Sequence, residues 1–185
     1  MRLSQPRVAP LADSELDDEQ REVLAPFGGR VLNIFRTMVR APKALKRFNL
    51  WGGYILSDRN SLAPRQRELL ILRTGWLCRS GYEWVQHTRI GLQSGLSQEE
   101  IDRIKAGPEA PGWSAGDAAL LRVADDLVRD FFVSDATWAR LSDLSERQRM
   151  DAVFTVGQYT QVSMFLNSFG VQLDEGQVLD ADFPR

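Results

Sequence analysis

Apolar side chains recur along this chain at spacings of three and four, the period of helices that lay one face on a core. Runs of strict alternation are scarce, and Asn-Gly or Asp-Gly hairpin signals are absent. Ser14-Glu15-Leu16-Asp17 supplies a capping residue and first-turn acids for a short helix toward Leu24, and Pro26-Phe27-Gly28-Gly29 breaks it. Val31 to Phe35 opens a second short helix that must end before Pro42, because a residue preceding proline is pushed out of helical geometry. Leu45, Phe48, Gly52, Ile55 and Leu56 carry a third. Ser61-Leu62-Ala63-Pro64 is a start signal for a strongly apolar helix through Leu69, Ile71, Leu72 and Trp76. Another runs from Tyr82 to Gln93 and closes at Gly95. Ser97-Gln98-Glu99-Glu100 and Ser145-Glu146-Arg147-Gln148 are capping boxes. The first opens a helix ending near Gly107-Pro108, and the second opens a long apolar helix that stops near Gly170. Between them lie a loop from Gly107 to Trp113, a helix from Ser114 to Phe132 and a short one from Asp135 to Leu141. The last fifteen residues are acidic and are expected to be extended.

These elements predict an all-α protein of eight or nine helices. With no sequence repeat, low-complexity tract or long linker, residues 1–185 are expected to form one domain, with an N-terminal extension over 1–13 and a tail over 171–185. The helix over 148–170 is apolar around most of its circumference, so part of it is expected to be covered by another subunit.

Composition narrows the function classes. The 185 residues are 43% hydrophobic and 26% charged, which is ordinary for a soluble globular chain. The net charge of −2 offers no basic surplus for nucleic acid. The apolar runs are far too short to span a membrane, and the N-terminus lacks the apolar stretch of a secretory signal, so a cytoplasmic location is expected. The single cysteine, Cys78, leaves no disulfide framework and no cysteine-rich metal site.

The candidate chemistry lies around Tyr82-Glu83-Trp84-Val85-Gln86-His87. His87 is the only histidine, and Glu83 stands one helical turn before it. Ser80, Glu83 and His87 fall at i, i+3 and i+7, and Glu68 belongs to the preceding apolar helix. Two neighbouring carboxyls cannot both ionise cheaply, so one should hold its proton, and imidazole is matched to proton transfer near neutral pH. Glu83 and His87 could share one ion, but with a single histidine no metal site is expected. Arg73, on an otherwise apolar helix, needs a partner. It either clamps a substrate carboxylate or pairs with an internal acid. Trp51, Tyr54, Tyr82 and Tyr159, with Phe48, are candidate pocket walls, although aromatics at helical spacing usually pack in a core.

The blocks Leu62-Ala63-Pro64-Arg65-Gln66-Arg67-Glu68-Leu69-Leu70-Ile71-Leu72-Arg73, Tyr82-Glu83-Trp84-Val85-Gln86-His87 and Gly95-Leu96-Ser97-Gln98-Glu99-Glu100-Ile101 together resemble the carboxymuconolactone decarboxylase family, which includes the alkyl hydroperoxidase D-like proteins. Gly157-Gln158-Tyr159 and Leu166-Asn167-Ser168-Phe169-Gly170-Val171 look like the family's last helix, and the match runs from about residue 33 to 174. Peroxidase members carry a glutamate, then Cys-x-x-Cys, then a histidine. Here Glu68 and His87 fall on the acid and imidazole positions, and Ser80 and Glu83 on the two cysteines. Without thiols the dithiol route is closed. The resemblance therefore implies the non-redox branch: a cofactor-independent lyase acting on a small carboxylated or lactone substrate. In it Glu83 and His87 transfer protons, Glu68 orients His87, and Arg73, Ser80, Tyr82, Trp51, Tyr54 and Tyr159 are candidate substrate contacts. The alternatives are a redox accessory protein using Cys78 at most for a mixed disulfide, and a non-catalytic oligomeric binding protein. The family's assembly habit implies a homo-oligomer, whether dimer, trimer or hexamer.

Overall fold

A computed structural model describes residues 1–184. Its elements are α1 (Asp18–Leu24), α2 (Asn33–Met38), α3 (Pro42–Ile55), α4 (Pro64–Leu77), α5 (Gly81–Gln93), α6 (Gln98–Ala106), α7 (Ala115–Asp130), α8 (Asp135–Ala139) and α9 (Glu146–Phe169), with 3-10 turns at Asp13–Glu15 and Ala25–Phe27. Among the described residues there is no strand, so the chain is all-α.

α4 is the axis of the packing, flanked by α5, α6, α7 and α9. Leu69, Leu70, Ile71 and Leu72 are wholly buried, yet successive residues on a helix point about 100° apart. They therefore serve three different surroundings. Leu70 packs with Leu120 and Val123 of α7 and Val156 of α9. Ile71 meets Ile55, Tyr159 and Leu166. Leu69 and Leu72 join Trp84, Ile101 and Ile104. A helix covered on every side needs no polar face, which accounts for its unbroken apolar run. It also means that a charged residue on α4, such as Glu68 or Arg73, must find its partner inside the protein.

Local signals set the helix ends. Pro64 opens α4, the capping boxes at Ser97 and Ser145 open α6 and α9, and Gly170 closes α9 in left-handed geometry at φ 69°. α1 starts later than the sequence suggests. Its cap is Asp17, whose carboxylate accepts from the Gln20 N–H at 2.8 Å, while Ser14 lies in the preceding 3-10 turn. α9 packs on α4, α7, α3 and α5, leaving Met150 and Met164 exposed. No helix among the described residues is long and apolar enough to cross a membrane.

The tail after Gly170 has no regular structure, but it is bound to the body. Asp174 accepts from the Asn33 backbone N–H at 2.8 Å, the Tyr82 hydroxyl at 2.6 Å and Gln86 Nε2 at 2.7 Å. Phe183 is buried with its ring edge-on to Trp76, 5.3 Å between centroids. Arg185 lies outside the described residues.

Candidate active site

Glu68 projects from α4 and His87 from α5, and His87 Nδ1 lies 2.7 Å from Glu68 Oε2. Both are buried. An ionised carboxylate only accepts, so with Glu68 ionised the ring donates from Nδ1. The Tyr159 ring stands edge-on to the imidazole at 4.7 Å and 85°, fixing its plane. Arg65 pairs with Glu100 and, at 2.9 Å, with Asp117, while Arg67 donates to the Ser57 carbonyl at 3.1 Å.

Glu83, one turn before His87, is 2% exposed. Its Oε2 accepts from the Ser163 hydroxyl at 2.8 Å, and its Oε1 has no hydrogen-bond partner. Burial pushes its carboxyl well above the usual carboxylate range; the Ser163 hydrogen bond pulls the other way, and the charge of Glu68 adds to the rise. Burial therefore favours the protonated form of Glu83 over what an exposed carboxyl would hold. The Tyr159 hydroxyl is likewise pushed well above its ordinary value, by burial first and then by Glu68 and Glu83, so it keeps its proton.

His87 and Glu83 both line a cavity of about 750 Å³. Its walls come from α3, α5, α9 and the stretch from α1 to α2, and they are mainly apolar, with Phe27, Leu32, Phe35, Phe48, Ile90 and Val162 among them. Gln86, Gln158 and Tyr159 add polar atoms, and Glu22, Lys46 and Arg89 add charge. Among the described residues no set of three or more His, Cys, Asp or Glu side chains is arranged to hold a metal ion.

The structure separates the other sequence candidates. Tyr82 and Tyr159 line the cavity, with the Tyr82 hydroxyl committed to Asp174. Ser80 does not line it; the residue is the α5 N-cap, buried, with its hydroxyl unpartnered. Arg73 is also off the cavity. Nε and Nη2 hold Asp125 at 2.6 and 3.0 Å, and Nη1 donates to the Ile104 and Lys105 carbonyls. Of its two expected roles, the internal ion pair is the one this geometry serves, because no donor edge is left for a substrate. Trp51 and Tyr54 turn away from the cavity to the first half of α9. Trp51 meets Phe154 at 5.4 Å, and the Tyr54 hydroxyl donates to Asp151 at 2.6 Å. Of the α3 aromatics, Phe48 faces the cavity. Sequence reasoning assigned no role to Gln158, Gln86, Lys46 or Arg89. No local signal separated Gln158 from Gln161 in the same stretch of α9; burial of the first and exposure of the second depend on how α9 packs.

Residues 42–126 match the family model of the carboxymuconolactone decarboxylase family. A comparison with curated proteins found no match. Among solved structures, an uncharacterized peroxidase-related protein from Ralstonia eutropha with an alkylhydroperoxidase AhpD core superposes with a TM-score of 0.78 at 18% identity, over 92% of this chain and 93% of the other. An uncharacterized peroxidase-related protein from Silicibacter sp. TM1040 does so with 0.71 at 15% identity, over 98% and 93%. The debrominase Bmp8, in a Cys-to-Ala variant with 2,3,4-tribromopyrrole, gives 0.73 at 13% identity, over 93% and 94%. At these identities the structural likeness speaks for the fold. Residues 42–126 thus match the carboxymuconolactone decarboxylase family in sequence, and the all-α fold is shared with the solved structure that has an AhpD core.

Proposed function

We propose that this protein is a cofactor-independent acid/base enzyme of the carboxymuconolactone decarboxylase type, acting on a small carboxylated or lactone substrate. The observation that carries this reading is the 2.7 Å contact between Glu68 and His87 Nδ1, at a residue that lines the cavity. A carboxylate on Nδ1 makes Nε2 a better base and stabilises the imidazolium once it has taken a proton. Glu83, whose protonated form burial favours, supplies the acid.

In a decarboxylation the bond to the carboxylate breaks and carbon dioxide leaves. The electron pair moves onto the conjugated carbonyl as an enolate, and a carbon of that enolate takes a proton from Glu83 or from His87 in its imidazolium form. The apolar walls exclude water, which strengthens every interaction with the developing charge. The same set could run other reactions through an enolate, such as retro-aldol cleavage or isomerisation.

The test is a screen of the wild type and His87→Gln against unsaturated lactone acids, 3-oxo acids and hydroperoxides, read by mass spectrometry. Turnover of an acid or lactone class is expected, reduced by about a hundredfold in the variant, the scale for a lost acid/base group. Equal rates in the two proteins would refute the assignment.

A further inference from the structure

Tyr159 lies in the middle of α9, is 6% exposed and lines the cavity. The chain has three tyrosines. Two of them have committed hydroxyls: Tyr54 donates to Asp151 at 2.6 Å, and Tyr82 donates to Asp174 at 2.6 Å. The Tyr159 hydroxyl has no hydrogen-bond partner among the described residues, although a buried phenol usually finds one. Nor is its oxygen sealed in, as the unpartnered Oε1 atoms of Glu83 and Gln158 are. The O–H is therefore open to the cavity, and its hydrogen lacks an acceptor.

The neighbour that places this phenol is His87. The two rings meet edge-on with 4.7 Å between centroids, and both residues line the same chamber. After burial, the charges of Glu68 and Glu83 raise the phenol pKa, with Arg67 pulling the other way, so the hydroxyl lies in the field of the acid/base set. A phenol held protonated in this way donates a hydrogen bond without giving up its proton. The ring alone accounts for the packing against His87, and phenylalanine would pack as well. The hydroxyl is what packing does not explain.

We propose that Tyr159 is a catalytic residue whose O–H donates to the carbonyl oxygen of a ketone, ester or lactone while His87 acts at the adjoining carbon. This rests on reading the cavity as the substrate site. In an enolising carbonyl one carbon separates the oxygen from the carbon that gains or loses the proton. Donor and base must therefore stand side by side, as the two rings do. When the electron pair moves onto the oxygen, an O–H already aimed at it in a water-shielded site favours the charged state over the ground state. The phenol keeps its proton throughout, and the carbon takes its proton from the imidazolium.

The experiment uses δ-decalactone and the cyclic ether in which a methylene replaces its carbonyl. Binding to the wild type, Tyr159→Phe and His87→Gln is measured by calorimetry, and the infrared carbonyl stretch of the bound lactone is recorded. The ratio of lactone to ether affinity should be roughly threefold to tenfold greater in the wild type than in Tyr159→Phe, the span of one net hydrogen bond. The wild-type band should lie below its position in hydrocarbon solvent and move back up in Tyr159→Phe. His87→Gln should keep the affinity ratio and the band. Tyr159→Phe should melt no lower than the wild type, because the hydroxyl it loses bonds nothing in the protein. On any substrate the screen finds, its kcat should fall about a hundredfold to a thousandfold, as for a lost oxyanion donor. An unchanged ratio, an unshifted wild-type band, no binding of the lactone or a clearly lower melting point for Tyr159→Phe would overturn the proposal. Wild-type turnover by Tyr159→Phe would also overturn it while leaving the acid/base reading intact. A shifted band that persists in His87→Gln, with no substrate class turned over, would refute the acid/base reading and leave the carbonyl contact standing.

Discussion

Gly75 of α4 lies so close to Glu83 of α5 that a Cβ on Gly75 would stand 2.9 Å from Glu83 Oε1. The carboxyl is packed against helix backbone on one side and held by Ser163 on the other. This close approach of α4 to α5 shields the acid from water, and the shielding raises its pKa.

Gly75→Ala should therefore separate folding from activity. Alanine favours a helix interior over glycine by about 0.5–1 kcal/mol, but its Cβ must displace the Glu83 carboxyl. The thermal midpoint should change little, while kcat should fall on the order of a hundredfold, as for a reacting group moved by about 1 Å. An unchanged kcat would show that the position of Glu83 does not matter.

Glu83 should also leave its mark on the pH dependence of stability. Its folded-state pKa lies well above the ordinary value of 4.5, so above that value the folded state binds more protons than the unfolded one. Stability associated with the protonated group is fully present below about pH 4.5 and is lost as pH rises through the folded pKa. Glu83→Gln removes this dependence. Its thermal midpoint relative to wild type should rise as the pH climbs above about 4.5 in a melting series; a constant difference would contradict the burial argument.

The Arg73–Asp125 pair should behave as a structural unit. Removing Arg73 leaves buried Asp125 with only the more exposed Arg129, at 3.1 Å, so Arg73→Ala should cost about 3 kcal/mol in denaturant unfolding, the low end for a broken buried pair. Arg73→Met with Asp125→Leu should recover much of that loss. Gly107→Ala should destabilise by the same route, since φ there is 95° and its Cβ would lie 2.7 Å from Arg73 Nη2.

Burial pushes the Cys78 thiol up to about 11, and the charge of Glu83 adds to the rise. At about pH 8 only on the order of one thiol in a thousand would then be thiolate, so a disulfide reagent should react far more slowly with the folded protein than with the unfolded one. Fast labelling of the folded protein would revive the redox alternative.

How much of this was legible follows from which contacts are local. Caps and breakers act within a few residues, so the capping boxes at Ser97 and Ser145 and the stop at Gly170 could be read directly. The one-turn spacing of Glu83 and His87 is local too. The reach of Glu68 to Nδ1 depends on how α4 crosses α5, and the resemblance pointed to it where spacing could not. The direction taken by Trp51 and Tyr54 depends on where α9 lies against α3, and the partner of Arg73 sits 52 residues away on α7. Neither follows from a periodic pattern. Nor does the tail, whose polar sequence looks like loose chain until Asp174 is seen to hold Tyr82, Gln86 and the start of α2.

That last triad of bonds gives a short acidic strap control over the shape of the ligand chamber, because Tyr82 and Gln86 are part of its wall. Proteolytic clipping just before Asp174 would release Tyr82 and Gln86 from the strap and also free Phe183 from Trp76, loosening the wall around Glu68 and His87. A preparation trimmed there should keep its helical circular-dichroism signal but melt at a lower temperature.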